Sequence, residues 1–326
     1  MAKDERYLLQ VKDLEVHFFT YGGVVEALDG VSFTIRHGET FGLVGESGCG
    51  KSVTALSILR LIPRPGEIVG GTIEFEGENL LAVDERRIRE IRGGQIAIIF
   101  QDPTAYLNPL LRVGFQMAEP LIYHQGVHRS SALAAAVRMI EKTKMPDPRQ
   151  RARNYPHEFS GGLRQRAMVG MAMMCDPKLL IADEPTTNLD VTIQRQILDL
   201  IKKMQLEHGT SVLLITHDLG VVAEMCDRVA VMYAGHIVEV ADVFTIFKNS
   251  LHPYTNALKE SIPTMASGRR LAEIPGFVPQ LINPPTGCRF HPRCTQAMPV
   301  CSREKPRLIE IEAGHMVACH LYGGRR

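Results

Sequence analysis

The sequence carries almost no excess charge: 37 Lys and Arg face 36 Asp and Glu, for a net charge of +1. So close a balance offers no electrostatic footprint for nucleic acid and no polybasic anchor for a membrane surface. Long apolar runs are lacking as well. The longest, such as residues 96–100 and 212–215, are strand-length, well short of the ~18–20 apolar residues that span a bilayer. The opening segment, MAKDERYLLQ, is charged and lacks the apolar core of a secretion leader. No internal repeat or low-complexity tract interrupts the chain. These absences set the expectation of an intracellular protein, soluble by itself, that reaches a membrane only through a partner. With 45% hydrophobic and 22% charged residues over 326 positions, the composition is ordinary and globular. Such a chain buries a substantial core without disulfide staples, and its length suits one large domain with an appendage, or two domains.

Short strands and turns open the chain, over residues 8–18, 27–35 and 40–44. A helix is expected over 52–61, stopped by Pro63 and Pro65, and another strand over 95–100. Residues 107–174 turn helical, notably 130–144. A second strand and helix series follows over 179–182, 194–207, 211–216, 219–225 and 228–233. Strands alternating with helices indicate a parallel sheet covered on both faces. The expected fold is therefore α/β with a mixed β core. It comprises a main domain over 1–245, a helical subdomain inserted at about 104–175, and an irregular proline-rich, Cys-rich extension over 246–326.

One motif carries chemistry by itself. Gly45-Glu46-Ser47-Gly48-Cys49-Gly50-Lys51-Ser52 fits G-x4-G-K-S/T, between a buried strand and a helix. Glycines let consecutive N–H groups face phosphates, and the helix N-terminus adds favourable partial charge. Lys51 is expected to reach the β- and γ-phosphates of ATP and Ser52 to ligate Mg²⁺, with the nucleotide-binding segment running to Val53. The ordinary alternative is a ligand-free glycine turn. A magnesium site also needs a carboxylate, and the apolar strand over 179–182 ends in Asp183 and Glu184. Asp183 is expected to hold Mg²⁺ and Glu184 to act as general base on the attacking water.

Further segments carry a family resemblance. Phe159-Ser160-Gly161-Gly162-Leu163-Arg164-Gln165-Arg166 resembles the LSGGQ signature of ABC ATPases, and Gln101, Asn188-Leu189-Asp190 and His217 stand in the order of that family's Q-loop, D-loop and switch positions. The resemblance covers roughly residues 8–240. It implies a P-loop NTPase of ABC type in which Ser160, Gly161 and Gly162 bind the γ-phosphate held by an opposite subunit, near Asp190. It implies that Gln101 completes the Mg²⁺ and water shell and that His217 contacts the γ-phosphate. Adenine would stack on an aromatic near the N-terminus, Phe18 or Tyr21 in preference to Phe19. Two departures stand out: Leu163 replaces the signature glutamine, and Asn188 replaces a small apolar residue.

The tail resembles the extension of dipeptide/oligopeptide importer ATPases, through Leu251-His252-Pro253-Tyr254-Thr255, Pro275-Gly276 and the run from Pro284 to Cys294. Four of seven cysteines, Cys288, Cys294, Cys301 and Cys319, fall there at spacings of five, six and seventeen residues. In a chain without an export signal, such clustering favours metal over disulfides. Wide spacing suits an object larger than a zinc knuckle, and the resemblance implies a 4Fe–4S cluster. Zinc, with His291 or His320 as substitute ligands, and no metal at all are the alternatives. The resemblance further implies two membrane permeases, a second and different ABC ATPase subunit, an extracytoplasmic peptide-binding protein, and a place on the cytoplasmic face of the membrane. A soluble ABC ATPase acting on nucleic acid or ribosomes is the competing reading. A paired cassette, coiled-coil insert or basic face would mark it, and the sequence supplies none of them.

Overall fold

The computed structural model describes residues 7–261 and 274–323. The remainder of the expected extension, 262–273 and 324–326, lies outside the described residues. The chain forms two compact units: residues up to 81 together with those from 215 onward, and residues 82–214.

In chain order the strands are β1 (Tyr7–Thr20), β2 (Gly23–Arg36), β3 (Thr40–Val44), β4 (Gly66–Phe75), β5 (Glu78–Asn79), β6 (Ile96–Ile99), β7 (Leu179–Asp183), β8 (Ser211–Thr216), β9 (Arg228–Tyr233), β10 (His236–Asp242), β11 (Ile309–Glu312) and β12 (His315–Val317). The first unit holds an antiparallel sheet in the order β2-β1-β4-β5 and a run of strands in the order β11-β12-β10-β9-β3. β3 pairs parallel with β9, from Phe41 opposite Arg228 to Val44 opposite Val231. All five residues of β3 are buried, as expected of a strand covered on both faces. The second unit carries β8-β7-β6, with β6 parallel to β7, and the chain leaves this unit along β8.

Helices Val113–Gln125, Arg129–Lys142 and Gly161–Ala172 fall in the second unit, and so does Val191–His208. The last is amphipathic: Ile197, Leu198, Leu200, Ile201 and Met204 are buried, at helical spacing. Its ends are marked by Asp190, whose side chain accepts from Ile193 N, and by Gly209 in the left-handed region.

Two features go beyond the strand and helix alternation of the sequence. The antiparallel group β2-β1-β4-β5 in the first unit supplies the antiparallel part of the expected mixed β core. β4 reads GEIVGGTIEF, and its glycines hide it behind turn chemistry. The tail, expected to be irregular, begins with helices Val243–Asn249 and Pro253–Glu260. Pro253 starts the second of these, where a missing N–H costs nothing, behind the His252 cap. The hairpin of β11 and β12 then extends β10.

The tail is pinned within the first unit. Wholly buried Glu239 accepts from Leu251 N (2.6 Å), His252 N (3.0 Å) and His315 Nε2 (2.8 Å). Arg289 donates to Ala234 O at 2.7 Å and to the Glu26 carboxylate at 2.6 Å. Tyr233, Tyr254 and Phe290 pack with ring centroids 4.7–5.3 Å apart, geometry that favours tilted and edge-on contact. No helix among the described residues is long and apolar enough to cross a membrane.

Candidate nucleotide site

The phosphate loop lies in the first unit, between β3 and the helix Lys51–Ile58. Close packing explains Gly45: a Cβ there would meet the Met232 carbonyl oxygen at 2.1 Å, inside any tolerable contact. Gly50 takes φ 107 at the helix start and lies against Leu28 and Ala27, so side chain and ordinary backbone are both excluded. Lys51 is buried, and its ammonium donates to Gly45 O at 2.8 Å and Glu46 O at 3.0 Å. Carbonyl oxygens solvate that charge without neutralising it, which leaves it to balance phosphate. Ser47, Gly48 and Ser52 are exposed, and the space beside Gly48 is open. Cys49 is buried, and burial holds its thiol protonated, above the usual thiol range. Val53 is half-buried in the following helix.

His217, also in the first unit, is exposed on the turn after β8. Asp218 beside it caps the next helix, accepting from Gly220 N at 2.7 Å. Of the aromatic candidates, Tyr21 stands fully exposed at the β1–β2 turn. Phe18 is half-buried, its ring edge 2.6 Å from where a Cβ on Gly66 would sit. Phe19 is partly exposed and edge-on to His17.

The acidic end lies in the second unit. Asp183 is buried at the end of β7. Glu184 follows with φ 44, in the left-handed region that a glutamate enters only under constraint. Its Oε2 accepts from Gln101 Nε2 at 3.1 Å and from Thr187 Oγ1 at 2.8 Å. The structure thus brings Gln101 and Glu184 together. Sequence reasoning missed Thr187, for which a hydroxyl three residues beyond the acid was the sole cue. Ser160 caps the helix Gly161–Ala172 and accepts from Leu163 N at 3.4 Å, while Ser160 and Gly161 remain exposed at that helix N-terminus. A Cβ on Gly162 would meet Ile193 at 2.7 Å, so the signature helix lies close against the helix that Asp190 caps. Asn188 sits at φ 65, a conformation asparagine tolerates better than a branched apolar residue.

The oxygen donors Ser52, Gln101 and Asp183 suit a hard cation in their chemistry. The cysteine expectation fares differently. Cys288, Cys294, Cys301 and Cys319 are free thiols of one patch, where Cys288 N donates to Cys301 O at 2.8 Å. Burial first, and neighbouring thiolate charge second, push Cys288 up to about 11 and raise Cys294 and Cys319. Yet among the described residues no three His, Cys, Asp or Glu side chains gather as a metal-binding group. The expected four-cysteine metal centre is therefore not formed in this arrangement. His291 and His320 each place one ring nitrogen on a main-chain carbonyl, His291 Nδ1 on Cys288 O (2.9 Å) and His320 Nε2 on Glu304 O (2.8 Å), the kind of contact that orients the ring of a metal-binding histidine and leaves its other nitrogen to ligate.

Residues 28–187 match the family model described as ABC transporter, and residues 238–301 match that described as oligopeptide/dipeptide transporter, C-terminal region. A probable peptide ABC transporter ATP-binding protein of Sinorhizobium fredii is 55% identical over 96% of this chain and 94% of its own length. The chain belongs to the ABC transporter ATP-binding proteins. Its similarity to their peptide branch extends to the dipeptide transport ATP-binding protein of Bacillus subtilis, 48% identical over 98% of this chain and 96% of that one. The oligopeptide transport ATP-binding protein of Salmonella typhimurium is 47% identical over 96% and 93% respectively. Among solved structures, the dimeric bacterial ABC transporter cassette MJ0796 aligns with a TM-score of 0.65 at 25% identity, covering 72% of this chain and 98% of that one. The cassette cbiO1 of Clostridium perfringens aligns with 0.63, at 25% identity over 75% and 92%. The expected ABC-type P-loop fold and ATPase class are thus shown, and a nucleic-acid role finds no support among these relatives.

Proposed function

We propose that this chain binds MgATP through Gly45–Val53 and couples its hydrolysis to the uptake of short peptides through partner permeases. The observation that carries the reading is the buried Lys51 ammonium, resting on two carbonyl oxygens at the mouth of the glycine loop. In this reading Lys51 and the loop N–H groups hold the β- and γ-phosphates. Glu184, held by Gln101 and Thr187, takes a proton from the attacking water, and exposed His217 orients the γ-phosphate. Ser52, Asp183 and Gln101 would hold Mg²⁺, which would supply charge neutralisation on the phosphate oxygens. Tyr21 offers the open aromatic face for adenine. The exposed start of the signature helix, Ser160 to Gly162, with Asp190 nearby, serves a nucleotide bound by a second cassette.

The relatives' names support a peptide cargo; two permeases, a second, different ATPase subunit, an extracytoplasmic peptide-binding protein and peripheral attachment to the cytoplasmic face of the membrane complete the reading as what the family resemblance implies. A 4Fe–4S cluster on the four cysteines is a separate part of this reading. It rests on the thiol donor set and requires the patch to close around the cluster with loss of the thiol protons. Anaerobic purification tests it: about four irons per chain support it, and stoichiometric zinc or no metal removes it. For the nucleotide site the test is Lys51→Ala, expected to lower MgATP affinity by more than about 100-fold and abolish turnover. Unchanged binding would overturn the assignment. Co-purification of wild-type chain with integral membrane proteins tests the transport role.

A further inference from the structure

Every polar group of Glu46, the first variable residue of the phosphate loop, has a defined partner within the first unit. Its carbonyl accepts from Lys51 Nζ at 3.0 Å, and its N–H donates to the Tyr254 hydroxyl at 3.0 Å. Its carboxylate receives a two-pronged contact from Arg293, Nη1 to Oε2 at 2.8 Å and Nη2 to Oε1 at 3.2 Å. Two of these partners, Tyr254 and Arg293, belong to the C-terminal extension, more than 200 residues away in sequence.

Both reaching side chains are themselves held. The Arg293 side chain is only 5% exposed. Its Nε donates to Pro275 O at 2.7 Å, Nη2 also to Ile274 O at 3.3 Å, and Nη1 also to the Tyr233 hydroxyl at 3.3 Å. The guanidinium lies 5.7 Å from the Tyr233 ring centre. Tyr254 is wholly buried among Tyr233 and Phe290. A planar guanidinium fixed at all of its nitrogens fixes in turn the carboxylate it grips. A glycine-rich loop has little stiffness of its own, so its shape depends on what braces it. Displacing Glu46 would move the carbonyl on which the Lys51 ammonium rests.

We propose that Arg293 and Tyr254 are positioning residues for the nucleotide: through Glu46 they hold the phosphate loop in its binding shape. The extension thereby acts on ATP affinity without touching ATP. The proposal rests on nucleotide binding by residues 45–53. The two readings fail differently: wild-type chain that binds no MgATP defeats the nucleotide site itself, whereas wild-type binding that persists unaltered in the variants defeats only the bracing role.

The experiment measures MgATP Kd by calorimetry and Tm by thermal unfolding on the full chain. Loss of one charge-assisted contact of ~1.5–3 kcal/mol corresponds to about tenfold or more in affinity. Arg293→Gln is expected to raise Kd about tenfold, and Arg293→Lys, which keeps the charge but not the fork, to recover part of that. Glu46→Gln combined with Arg293→Gln is expected to be no worse than the poorer single variant, since both break one contact. Tyr254→Phe removes a single hydroxyl and is expected to raise Kd severalfold; it decides the matter if Arg293→Gln fails to fold. Wild-type Kd in Arg293→Gln or in Tyr254→Phe, whatever the Tm, would overturn the proposal, as would full additivity in the double variant.

Discussion

The phosphate loop and the acidic turn both bend the backbone sharply, and they do so by opposite means. In the loop the bend falls on glycines such as Gly45 and Gly50, whose missing side chains make room for Met232 O and Leu28. In the turn it falls on Glu184 at φ 44 and Asn188 at φ 65, residues with side chains. The difference follows from which atoms each segment offers to chemistry. The loop presents main-chain N–H groups, so nothing is lost by having no side chain. The turn presents a carboxylate, so the backbone accepts strain of about 1–3 kcal/mol to keep it, with Gln101 and Thr187 holding it in place.

Breaking the turn at its carboxylate gives the largest expected effect. Glu184→Gln keeps shape and hydrogen-bond reach but removes the base, so single-turnover hydrolysis should fall by about 10²–10⁴ while MgATP binding persists and a nucleotide-bound dimer accumulates. Hydrolysis at the wild-type rate would remove Glu184 as the base. Breaking the loop at its tightest point comes next. Gly45→Ala puts a methyl into the Met232 carbonyl, an overpacking cost of ~3 kcal/mol. That lowers Tm by roughly 6–12 °C and impairs nucleotide binding, as calorimetry and thermal unfolding would show.

Acid sharpens the contrast, since the loop side depends on a buried histidine. His252 is 1% exposed, and its Nδ1 accepts from Tyr254 N at 3.1 Å, which requires the neutral ring. Burial pushes its pKa down to about 3. The unfolded chain takes up a proton near pH 6.5 that the folded chain refuses, so this group's contribution is full above that pH and declines as pH falls. At pH 5 the loss is about 2 kcal/mol. Tm measured from pH 7.5 to 5 should drop, and less steeply in His252→Gln; parallel curves would refute the assignment. The smallest effect belongs to the turn's second strained residue. Asn188→Gly should leave stability within about 1 kcal/mol, whereas Asn188→Val should cost ~1–2 kcal/mol, read as urea midpoints.

What the sequence made legible divides along the same line. The loop could be located to the residue because its glycines answer to local geometry, and β3, β8 and β9 were bounded correctly because strands buried along their length are largely continuous apolar runs. β4 was missed, since its glycines imitate a turn. The carboxylate Glu184 was visible at a strand end, but the hydrogen bond from Thr187 and the left-handed backbone beneath it belong to three-dimensional arrangement. The tail misled most. Its prolines suggested irregularity, although Pro253 starts a helix, and the contacts of Arg293 and Tyr254 with Glu46 join residues that no local pattern relates. Four cysteines in one stretch implied a metal centre; the four lie in one patch, but among the described residues no three potential ligands gather as a metal-binding group, since spacing along the chain sets no distance between thiols.

The pinning of the tail by Glu239, Arg289 and the Tyr233–Tyr254–Phe290 trio has a consequence for modularity. The segment beyond β10 is not a detachable accessory that could be trimmed to leave a minimal cassette. Removing it would uncover an aromatic face on Tyr233 and strip Glu26 and Glu46 of their arginine partners. A tail transplanted from a cousin would dock only if its recipient brought the matching acids and tyrosine along, so cassette and appendage are one unit of inheritance.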